Sequence, residues 1–303
     1  MIITITLNPC LDHTLIIPDF QPGDTCLAEN SLLVPAGKGV NVSRVLNSLG
    51  VPSVALIVIG NDTKTIFEKS FEGTQITPHI IAYEGKTRVN TTIVSPGKKE
   101  THIREEGNSL LPQVIEQVMK YLEISLHKED TVVFSGSLPP RTPIPIWQSL
   151  LSLSVKKGAF VLVDTSKQAL IGALEIPVSA ITPNQEEFCF ITKNIEDNPD
   201  RLARYAQEEV KKRNMKWIAI TLAEKGAILA GKDFIFKSMA YPVDFISSVG
   251  SGDAFLAGMI AGIYQNMPLE RTLSLATACG SASCEQSSAG CISLERVKYF
   301  FAT

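Results

Sequence analysis

The sequence predicts an α/β fold, in which helices cover both faces of a mostly parallel sheet. Three observations predict it. Short apolar runs rich in β-branched residues recur along the 303 residues, as expected of strands that are buried on both sides. Helical patterns stand between these runs, and strands that alternate with helices form parallel sheets. Hydrophobic residues make up 45% of the chain and charged residues 19%, which is typical of a globular protein with a substantial core.

Six apolar runs are predicted to be strands of this sheet. They are residues 2–7, 54–59, 131–134, 160–163, 178–181 and 217–221. Two segments between them have the apolar spacing of amphipathic helices: residues 40–50 end on a glycine predicted to follow the helix C-terminus, and residues 111–126 begin near a proline. The apolar positions are Val42, Val45, Leu46 and Leu49 before Gly50, and Val114, Val118 and Leu122 after Pro112.

Two further segments alternate apolar and polar residues, unlike the rest of the chain. Residues 11–34 do so around the turn sequence "PGD" (22–24), and residues 86–106 read as a hairpin with "SPGKK" (95–99) as its turn. Polar-faced strands inserted into an α/β domain predict a small sheet that stands off the main body, which we interpret as a lid. Because no repeat or linker is found, residues 1–303 are predicted to form one domain with this lid.

Composition and charge exclude several functions. A net charge of −3, with no basic block, argues against a nucleic-acid partner. The start "MIITITLNPCLDH" has no basic region typical of a signal peptide, and no apolar stretch approaches the roughly 20 residues that span a bilayer. Six cysteines form no C-x-x-C pair and the four histidines are scattered along the chain, so we expect no zinc site and reduced thiols in a cytoplasmic protein.

The stretch "VGSGDAF" (249–255) is the strongest candidate for a catalytic site. Its glycines free main-chain N–H groups, and the helix that follows adds partial positive charge, so the turn suits an anion. Because Asp253 lies beside this anion site, we predict that it is a base next to an anion hole. Phosphoryl transfer needs this arrangement, in which the base takes a hydroxyl proton while the N–H groups hold the phosphoryl group. The alternative is a tight turn in which Asp253 only caps the helix.

Two other clusters suggest a ligand site. In "PAGKGVNVSR" (35–44), glycines flank Lys38 at the start of a helix and Asn41 follows one turn later, where it can bond a sugar hydroxyl. In "TLNPCLDH" (6–13), Asp12 follows a buried strand, and ligands gather at the carboxyl ends of such strands. Each cluster alone also fits a solvated turn or a surface acid. The chain contains no P-loop motif, no G-x-G-x-x-G after a strand and no protein-kinase motifs.

Taken together, the motifs resemble those of the PfkB-type carbohydrate kinases of the ribokinase superfamily. The resemblance covers residues 1 to about 300 and is nearest to the hexose-phosphate branch, which includes 1-phosphofructokinases, tagatose-6-phosphate kinases and the minor 6-phosphofructokinase. It rests on eight motifs that occur in the family's order: "LNPCLD", "AGKGVNV", "GKTRVN", "FSGSLPP", "VDTS", "TPNQEE", "TLAEKGA" and "SSVGSGDAF".

The resemblance implies a ribokinase-like three-layer α/β/α domain whose β-sheet lid often serves as a dimer clasp, so a homodimer through the lid is expected. It implies that Asp253 is the catalytic base, with an anion hole from the N–H groups of Gly250, Ser251 and Gly252. It also implies ATP as phosphoryl donor, magnesium (Mg²⁺), and a small sugar phosphate as acceptor. The implied sugar-side residues are Asp12, Gly37, Lys38, Gly39, Asn41, Arg88, Asn90 and Ser137.

On the nucleotide side, Asn184 and Glu187 match the motif that organises Mg²⁺, mostly through water. The other implied nucleotide residues are Asp164, Thr221, Gly226 and Gly280. The chain departs from the family at three places: Thr182 stands where members usually have Lys, Ala223 where they usually have Gly, and "GSGD" replaces the commoner "GAGD". The first two departures touch the nucleotide side.

The expected activity is therefore ATP- and Mg²⁺-dependent phosphorylation of a ketohexose phosphate. "AGKG" and "GKTRVN" look most like 1-phosphofructokinases, which makes conversion of fructose 1-phosphate to fructose 1,6-bisphosphate the first expectation. Tagatose 6-phosphate and fructose 6-phosphate remain open as acceptors. Two rival functions are a sugar-phosphate-binding regulator without turnover, which Thr182 and Ala223 favour, and a nucleoside kinase, which would have no obvious need for Arg88.

Overall fold

The structure, a computed structural model, describes residues 1–95 and 100–302. Thirteen strands are found in these residues. In chain order they are β1 (Ile2–Thr6), β2 (Cys10–Ile16), β3 (Asn30–Ala36), β4 (Ser53–Gly60), β5 (Ile76–Tyr83), β6 (Arg88–Val94), β7 (Thr101–Arg104), β8 (Thr131–Ser135), β9 (Phe160–Asp164), β10 (Ala180–Ile181), β11 (Trp217–Thr221), β12 (Ala227–Gly231) and β13 (Ile235–Ser238).

Ten α-helices are assigned within the same residues. They are α1 (Lys38–Ser48), α2 (Lys64–Lys69), α3 (Pro112–Ser125), α4 (Ile144–Lys156), α5 (Lys167–Ala173), α6 (Gln185–Thr192), α7 (Pro199–Arg213), α8 (Ser251–Tyr264), α9 (Leu269–Ser283) and α10 (Leu294–Ala302). Short 3₁₀ turns stand at Asn61–Thr63 and Ala223–Lys225. None of the helices in the described ranges is long and apolar enough to cross a bilayer.

Nine strands form the central sheet, in the order β13-β12-β11-β10-β9-β8-β1-β4-β5. The strands from β5 to β11 pair in parallel, and β12 and β13 add an antiparallel edge. Side chains alternate between the faces: Ile3 and Ile5 join the core beneath α3, α4, α5 and α7, whereas Ile2 joins the core beneath α1, α8, α9 and α10. The predicted α/β fold is thus confirmed as a mostly parallel sheet between two helical layers.

The six predicted strands are all present, with small differences at their ends. The segment predicted over 178–181 shortens to β10, and the predicted helices at 40–50 and 111–126 correspond to α1 and α3. Three strands of the main sheet, β5, β12 and β13, were not predicted. Of these, β12 and β13 are antiparallel and follow β11 through short turns, so the strand–helix alternation that revealed the other strands does not apply to them.

A second sheet of four strands, in the order β3-β2-β6-β7, is built from the two segments that the sequence set apart. Strand β2 pairs in parallel with β6, while β3 and β7 pair antiparallel at the two edges. The described strands extend slightly past the predicted limits, since β2 begins at Cys10 and β3 continues to Ala36. Most of the predicted "SPGKK" turn, residues 96–99, lies outside the described residues.

Candidate active site

A large cleft lies between the second sheet and the α8 end of the main domain. Its volume is about 1390 Å³, whereas a site for one small molecule is typically about 300–1,000 Å³. The cleft therefore has room for two ligands side by side. Of the predicted site residues, those that line it are Asp12, Gly37, Lys38, Asn41, Arg88, Asn90, Asn184, Thr221, Gly226, Gly250, Ser251, Gly252, Asp253 and Gly280.

Asp253 lies in the first turn of α8 and is only 4% exposed. Its Oδ2 accepts a hydrogen bond of 2.8 Å from Nδ2 of Asn41. Burial raises the pKa of Asp253 to about 7, although the nearby charge of Lys38 opposes the shift. A carboxyl group with this pKa is suited to accept a proton near neutral pH. The alternative in which Asp253 caps the helix is wrong, because Gly250 occupies the N-cap position.

The start of α8 leaves main-chain N–H groups next to Asp253 in sequence without an acceptor in the described residues. Within the described ranges, no acceptor is bonded to the N–H groups of Gly250, Gly252 or Asp253 itself, as expected at the start of a helix. The N–H of Ser251 differs from the expectation, since it donates to Ser248 O at 3.2 Å. Gly250 has φ +85°, and a Cβ there would lie 2.7 Å from Ala289, so a larger residue would disturb the turn. The amides available to an anion are thus those of Gly250, Gly252 and Asp253, with Asp253 in place of the predicted Ser251.

Lys38 stands on the floor of the cleft, where its ammonium group bonds Asp164 Oδ2 at 3.0 Å and Oδ1 at 3.2 Å. Ser135 Oγ donates to the same carboxylate at 2.8 Å, so buried Asp164 is fully engaged. Burial opposes the charge of Lys38, but Asp164 and Asp253 outweigh it and raise its pKa. Because 44% of the Lys38 side chain is still exposed, its ammonium group can also bind an anionic ligand in the cleft. Asp164 therefore acts through Lys38 and does not line the cleft.

The glycines beside Lys38 serve packing. A Cβ on Gly39 would lie 2.5 Å from Thr6 Oγ1, and one on Gly37 would lie 2.7 Å from Thr6 Cγ2. The start of α1 can approach β1 this closely only without side chains at these positions. This close approach fixes Asn41 beside Asp253. Gly39 faces the core, so its expected contact with a sugar is not supported by its position.

Three polar side chains converge where β2 meets β6. Cys10 donates its S–H to Asp12 Oδ1 at 3.2 Å, and Asn90 Nδ2 donates to Cys10 Sγ at 3.1 Å and to Asp12 Oδ1 at 3.3 Å. Burial, followed by the adjacent Asp12, strongly raises the pKa of the Cys10 thiol, which keeps it protonated as a donor. The cluster orients a carboxylate toward the cleft. Cys10 was not predicted as a site residue, although its place two residues before Asp12 was a usable signal.

The guanidinium of Arg88 is bound by three main-chain carbonyls. Its Nε, NH1 and NH2 groups donate to the oxygens of Pro9 (3.2 Å), Glu105 (3.0 Å) and Asn8 (2.8 Å). Three of its five N–H donors are therefore used, and one on each terminal nitrogen is left for a ligand. Ser137 joins this group through Asn8, whose Nδ2 lies 3.2 Å from Ser137 Oγ. Arg88 thus links β6 to the segment between β1 and β2 and to the end of β7, at the edge of the cleft that it lines.

Asn184 and Glu187 form a capping box at the start of α6. Asn184 Oδ1 accepts from the Glu187 N–H at 2.8 Å, and Glu187 Oε2 accepts from the Asn184 N–H at 2.9 Å. Burial raises the pKa of Glu187, and its other oxygen has no hydrogen bond to the described part of the chain. No group of three or more acidic, His or Cys side chains able to hold a metal occurs in the described residues. These residues suit a hydrated Mg²⁺ bound through a polyphosphate.

The two departures on the nucleotide side have distinct structural consequences. Thr182 is buried, and its Oγ1 has no hydrogen-bond partner among the residues described. Ala223 adopts φ 51°, in the left-handed region that glycine tolerates. Nearby, Thr221 and Gly226 line the same end of the cleft, and Gly280 of α9 lines it from the opposite wall. Ala223 therefore holds a left-handed backbone conformation that the usual glycine would adopt without strain.

Residues 5–295 match the pfkB family of carbohydrate kinases. The chain belongs to the pfkB family. Among similar PfkB-family proteins, 1-phosphofructokinase of Bacillus subtilis (strain 168) is 27% identical over 283 residues, covering 93% of this chain and 92% of the relative. The 1-phosphofructokinase of Escherichia coli (strain K12) is 26% identical over 288 residues, covering 95% and 92%.

Solved structures agree with this PfkB-family assignment. Phosphofructokinase-2 from Escherichia coli, in complex with potassium, superposes with a TM-score of 0.94 at 26% identity, covering 99% of this chain and 98% of the other. Ribokinase from Thermotoga maritima superposes with a TM-score of 0.79 at 18% identity, covering 100% and 99%, which shows the shared fold. The predicted ribokinase-like fold and kinase class are confirmed, and membership of this kinase family implies ATP as a substrate.

Proposed function

We propose that this PfkB-family kinase transfers a phosphoryl group from ATP to a primary hydroxyl of a ketohexose phosphate. Fructose 1-phosphate, converted to fructose 1,6-bisphosphate, is the preferred acceptor, as the names of the relatives from Bacillus subtilis and Escherichia coli suggest. One observation carries the proposal: Asp253, buried and with a pKa near 7, lies in the cleft directly beside unpaired main-chain N–H groups.

Asp253 acts as the base in this proposal. As the acceptor oxygen bonds to phosphorus and the bond to the leaving ADP oxygen breaks, the hydroxyl proton passes to the Asp253 carboxylate. Asn41 holds that carboxylate through its 2.8 Å hydrogen bond. The N–H groups of Gly250, Gly252 and Asp253 stabilise the negative charge on the transferred group. Lys38 adds a positive charge, held in position by Asp164.

Mg²⁺, when bound, neutralises part of the triphosphate charge, and Asn184 and Glu187 would hold its waters. On the acceptor side, Asp12 and Asn90 bind sugar hydroxyls, with Asp12 oriented by its contact with Cys10. The two free N–H groups of Arg88 meet the phosphate that the sugar already carries. The second sheet acts as a lid that excludes water during transfer.

Two other acceptors and one non-catalytic function compete with this proposal. Tagatose 6-phosphate and fructose 6-phosphate fit the same cleft chemistry, and a solved neighbour is named phosphofructokinase-2. A sugar-phosphate-binding regulator without turnover is favoured by Thr182 and by the strained Ala223 at the nucleotide end. Against the regulator, a binding protein has no use for a buried base beside free amides.

Release of ADP, measured with each of the three sugar phosphates and MgATP, tests the proposal. We expect the highest kcat/KM with fructose 1-phosphate. Asp253→Asn should lower kcat by orders of magnitude with its fold intact, because the proposed base is lost. Asp233→Asn, the same change at an exposed turn, is the matched control and should leave kcat unchanged. No ADP release with any acceptor would favour the regulator, and near-normal turnover of Asp253→Asn would refute the role of the base.

A homodimer through the second sheet is also proposed. Leu33 and Ile103 lie in one row of the strand pairing, through His13 and Thr91, and expose 45% and 54% of their surface on the same face of the second sheet. Leu32 (51% exposed) points to the opposite face. Covering such side chains is the usual reason for association. Sedimentation of the chain at micromolar concentration should give the mass of a dimer, and Leu33→Lys should shift it toward the monomer. A monomeric wild-type chain under these conditions would contradict the dimer.

A further inference from the structure

Arg104, which the motifs did not single out, lies on the cleft side of the second sheet. It is the last residue of β7 and pairs in register with Asn90 of β6, which in turn pairs with Asp12 of β2. These residues therefore form one row across three neighbouring strands, and all three line the cleft. Adjacent strands lie about 4.8 Å apart, so the main chains at Asp12 and Arg104 are separated by about 10 Å.

Arg104, an exposed residue, differs from its neighbours in having no hydrogen-bond or ion-pair partner among the described residues. Asp12 and Asn90 bond each other and Cys10, and Arg88 donates to three carbonyls. In residues 1–95 and 100–302, by contrast, no acceptor or carboxylate is bonded to the Arg104 guanidinium, which keeps all five of its N–H donors. Its positive charge nevertheless acts on the buried thiol of Cys10, which places it within electrostatic reach of the cluster.

The other groups on this part of the sheet do not neutralise Arg104. His102, two residues earlier on the same strand, interacts with Thr92 at 3.2 Å and with Glu100 at 3.4 Å. The carboxylate of Glu105 is bonded to the N–H of Val89 at 2.8 Å. An unpaired guanidinium facing a polar cleft is the preferred donor for a phosphate, since its planar fork offers two parallel hydrogen bonds.

We propose that Arg104 determines specificity by binding the phosphate group that the acceptor sugar already carries. This inference rests on the proposed function. Asp12 binds hydroxyls at one end of the row and Arg104 binds phosphate at the other. The main chains at these two positions are about 10 Å apart. Both side chains leave the same face of the sheet and line the cleft, so one sugar phosphate lying across the row can contact both. In this arrangement Arg88, three of whose donors are committed to the main chain, contributes its two remaining N–H groups to the phosphate, and Arg104 supplies most of the contact.

The test compares Arg104→Gln with wild type on two acceptors, fructose 1-phosphate and fructose. A lost charged hydrogen bond costs about 1.5–3 kcal/mol, or about 10- to 150-fold. We expect kcat/KM for fructose 1-phosphate to fall by that factor, mainly through KM, while the value for fructose stays unchanged. Arg104→Lys should recover part of the loss, because a lysine keeps the charge but not the fork. Arg204→Gln, on the exposed side of α7, is the matched control.

Calorimetric titration of both sugars in the absence of ATP separates this inference from the proposed function. If wild type binds fructose 1-phosphate but releases no ADP, the kinase assignment fails, and Arg104 is still tested by the loss of affinity in Arg104→Gln. The inference is overturned if the variant binds both sugars as wild type does, or if it loses both equally. A wild-type chain that binds neither sugar overturns both. The melting temperature of Arg104→Gln should equal that of wild type, because Arg104 contacts no other described residue through a hydrogen bond or ion pair.

Discussion

Replacing Asp253 by Asn should stabilise the folded chain at neutral pH, even though it removes the proposed base. Burial raises the pKa of Asp253 from the ordinary 3.8 to about 7. The unfolded chain therefore releases this proton near pH 4, whereas the folded chain holds it until about pH 7, and this difference favours unfolding as the pH rises. An asparagine carries no charge, and its amide oxygen can still accept the hydrogen bond from Asn41.

The magnitude follows from the interval between the two pKa values. Each pH unit is worth about 1.4 kcal/mol, so the interval from 3.8 to about 7 corresponds to about 4 kcal/mol. The stability that protonated Asp253 contributes is complete below about pH 4, falls as the pH rises toward about 7, and is lost above it. Asp253→Asn should therefore raise the free energy of unfolding by about 2 kcal/mol at about pH 5.5 and by about 4 kcal/mol at about pH 8.

Urea denaturation followed by circular dichroism at these two pH values measures both gains. Asp233→Asn, which makes the same chemical change at an exposed turn, should give no gain at either pH. The reasoning is refuted if Asp253→Asn is less stable than wild type at both pH values, or if its gain does not grow with pH. Either result would mean that the Asp253 carboxylate is not held in a site that disfavours its charge.

The kcat/KM of wild type should rise with pH and level off above about 7, because the ionised form of Asp253 accepts the proton; a flat profile from about pH 5 to 8 would contradict this. Ala223→Gly should raise the free energy of unfolding by about 1 kcal/mol in urea titrations, since it relieves a left-handed backbone, and a lower stability would count against the strain. Cys10→Ala should raise the KM for the acceptor about fivefold while Cys10→Ser, which keeps a donor for Asp12, should not; equal KM values would remove Cys10 from the site.

Much of the main domain could be predicted from the chain because its signals are local. A strand buried on both faces must be apolar along its length, and an amphipathic helix repeats its apolar residues every three to four positions. These patterns revealed strands such as β1 and β8 and the helices α1 and α3. Where the signal is weaker, as in β10 with two residues or the antiparallel edge of β12 and β13, the prediction was incomplete.

The candidate site could be predicted only in part, because its contacts join distant positions. Asn41 and Asp253 are 212 residues apart, and Lys38 and Asp164 are 126 apart, so no spacing in the sequence shows that these pairs touch. The resemblance to a family supplied the residues but not their partners. The anion hole illustrates the limit, since the N–H of Ser251 is already used by Ser248.

The sequence by itself determined the α/β class, the two polar segments that form a second sheet, and the glycine-rich turn before α8 that holds an acid. Residue type and local period decide these features. Only the tertiary structure decided that Asp253 is buried deeply enough to raise its pKa toward neutrality. It also decided that the guanidinium of Arg88 is bonded to main-chain carbonyls, whereas that of Arg104 has no bonded acceptor among the described residues. Burial, hydrogen bonding and charge at a side chain depend on what the rest of the fold brings beside it.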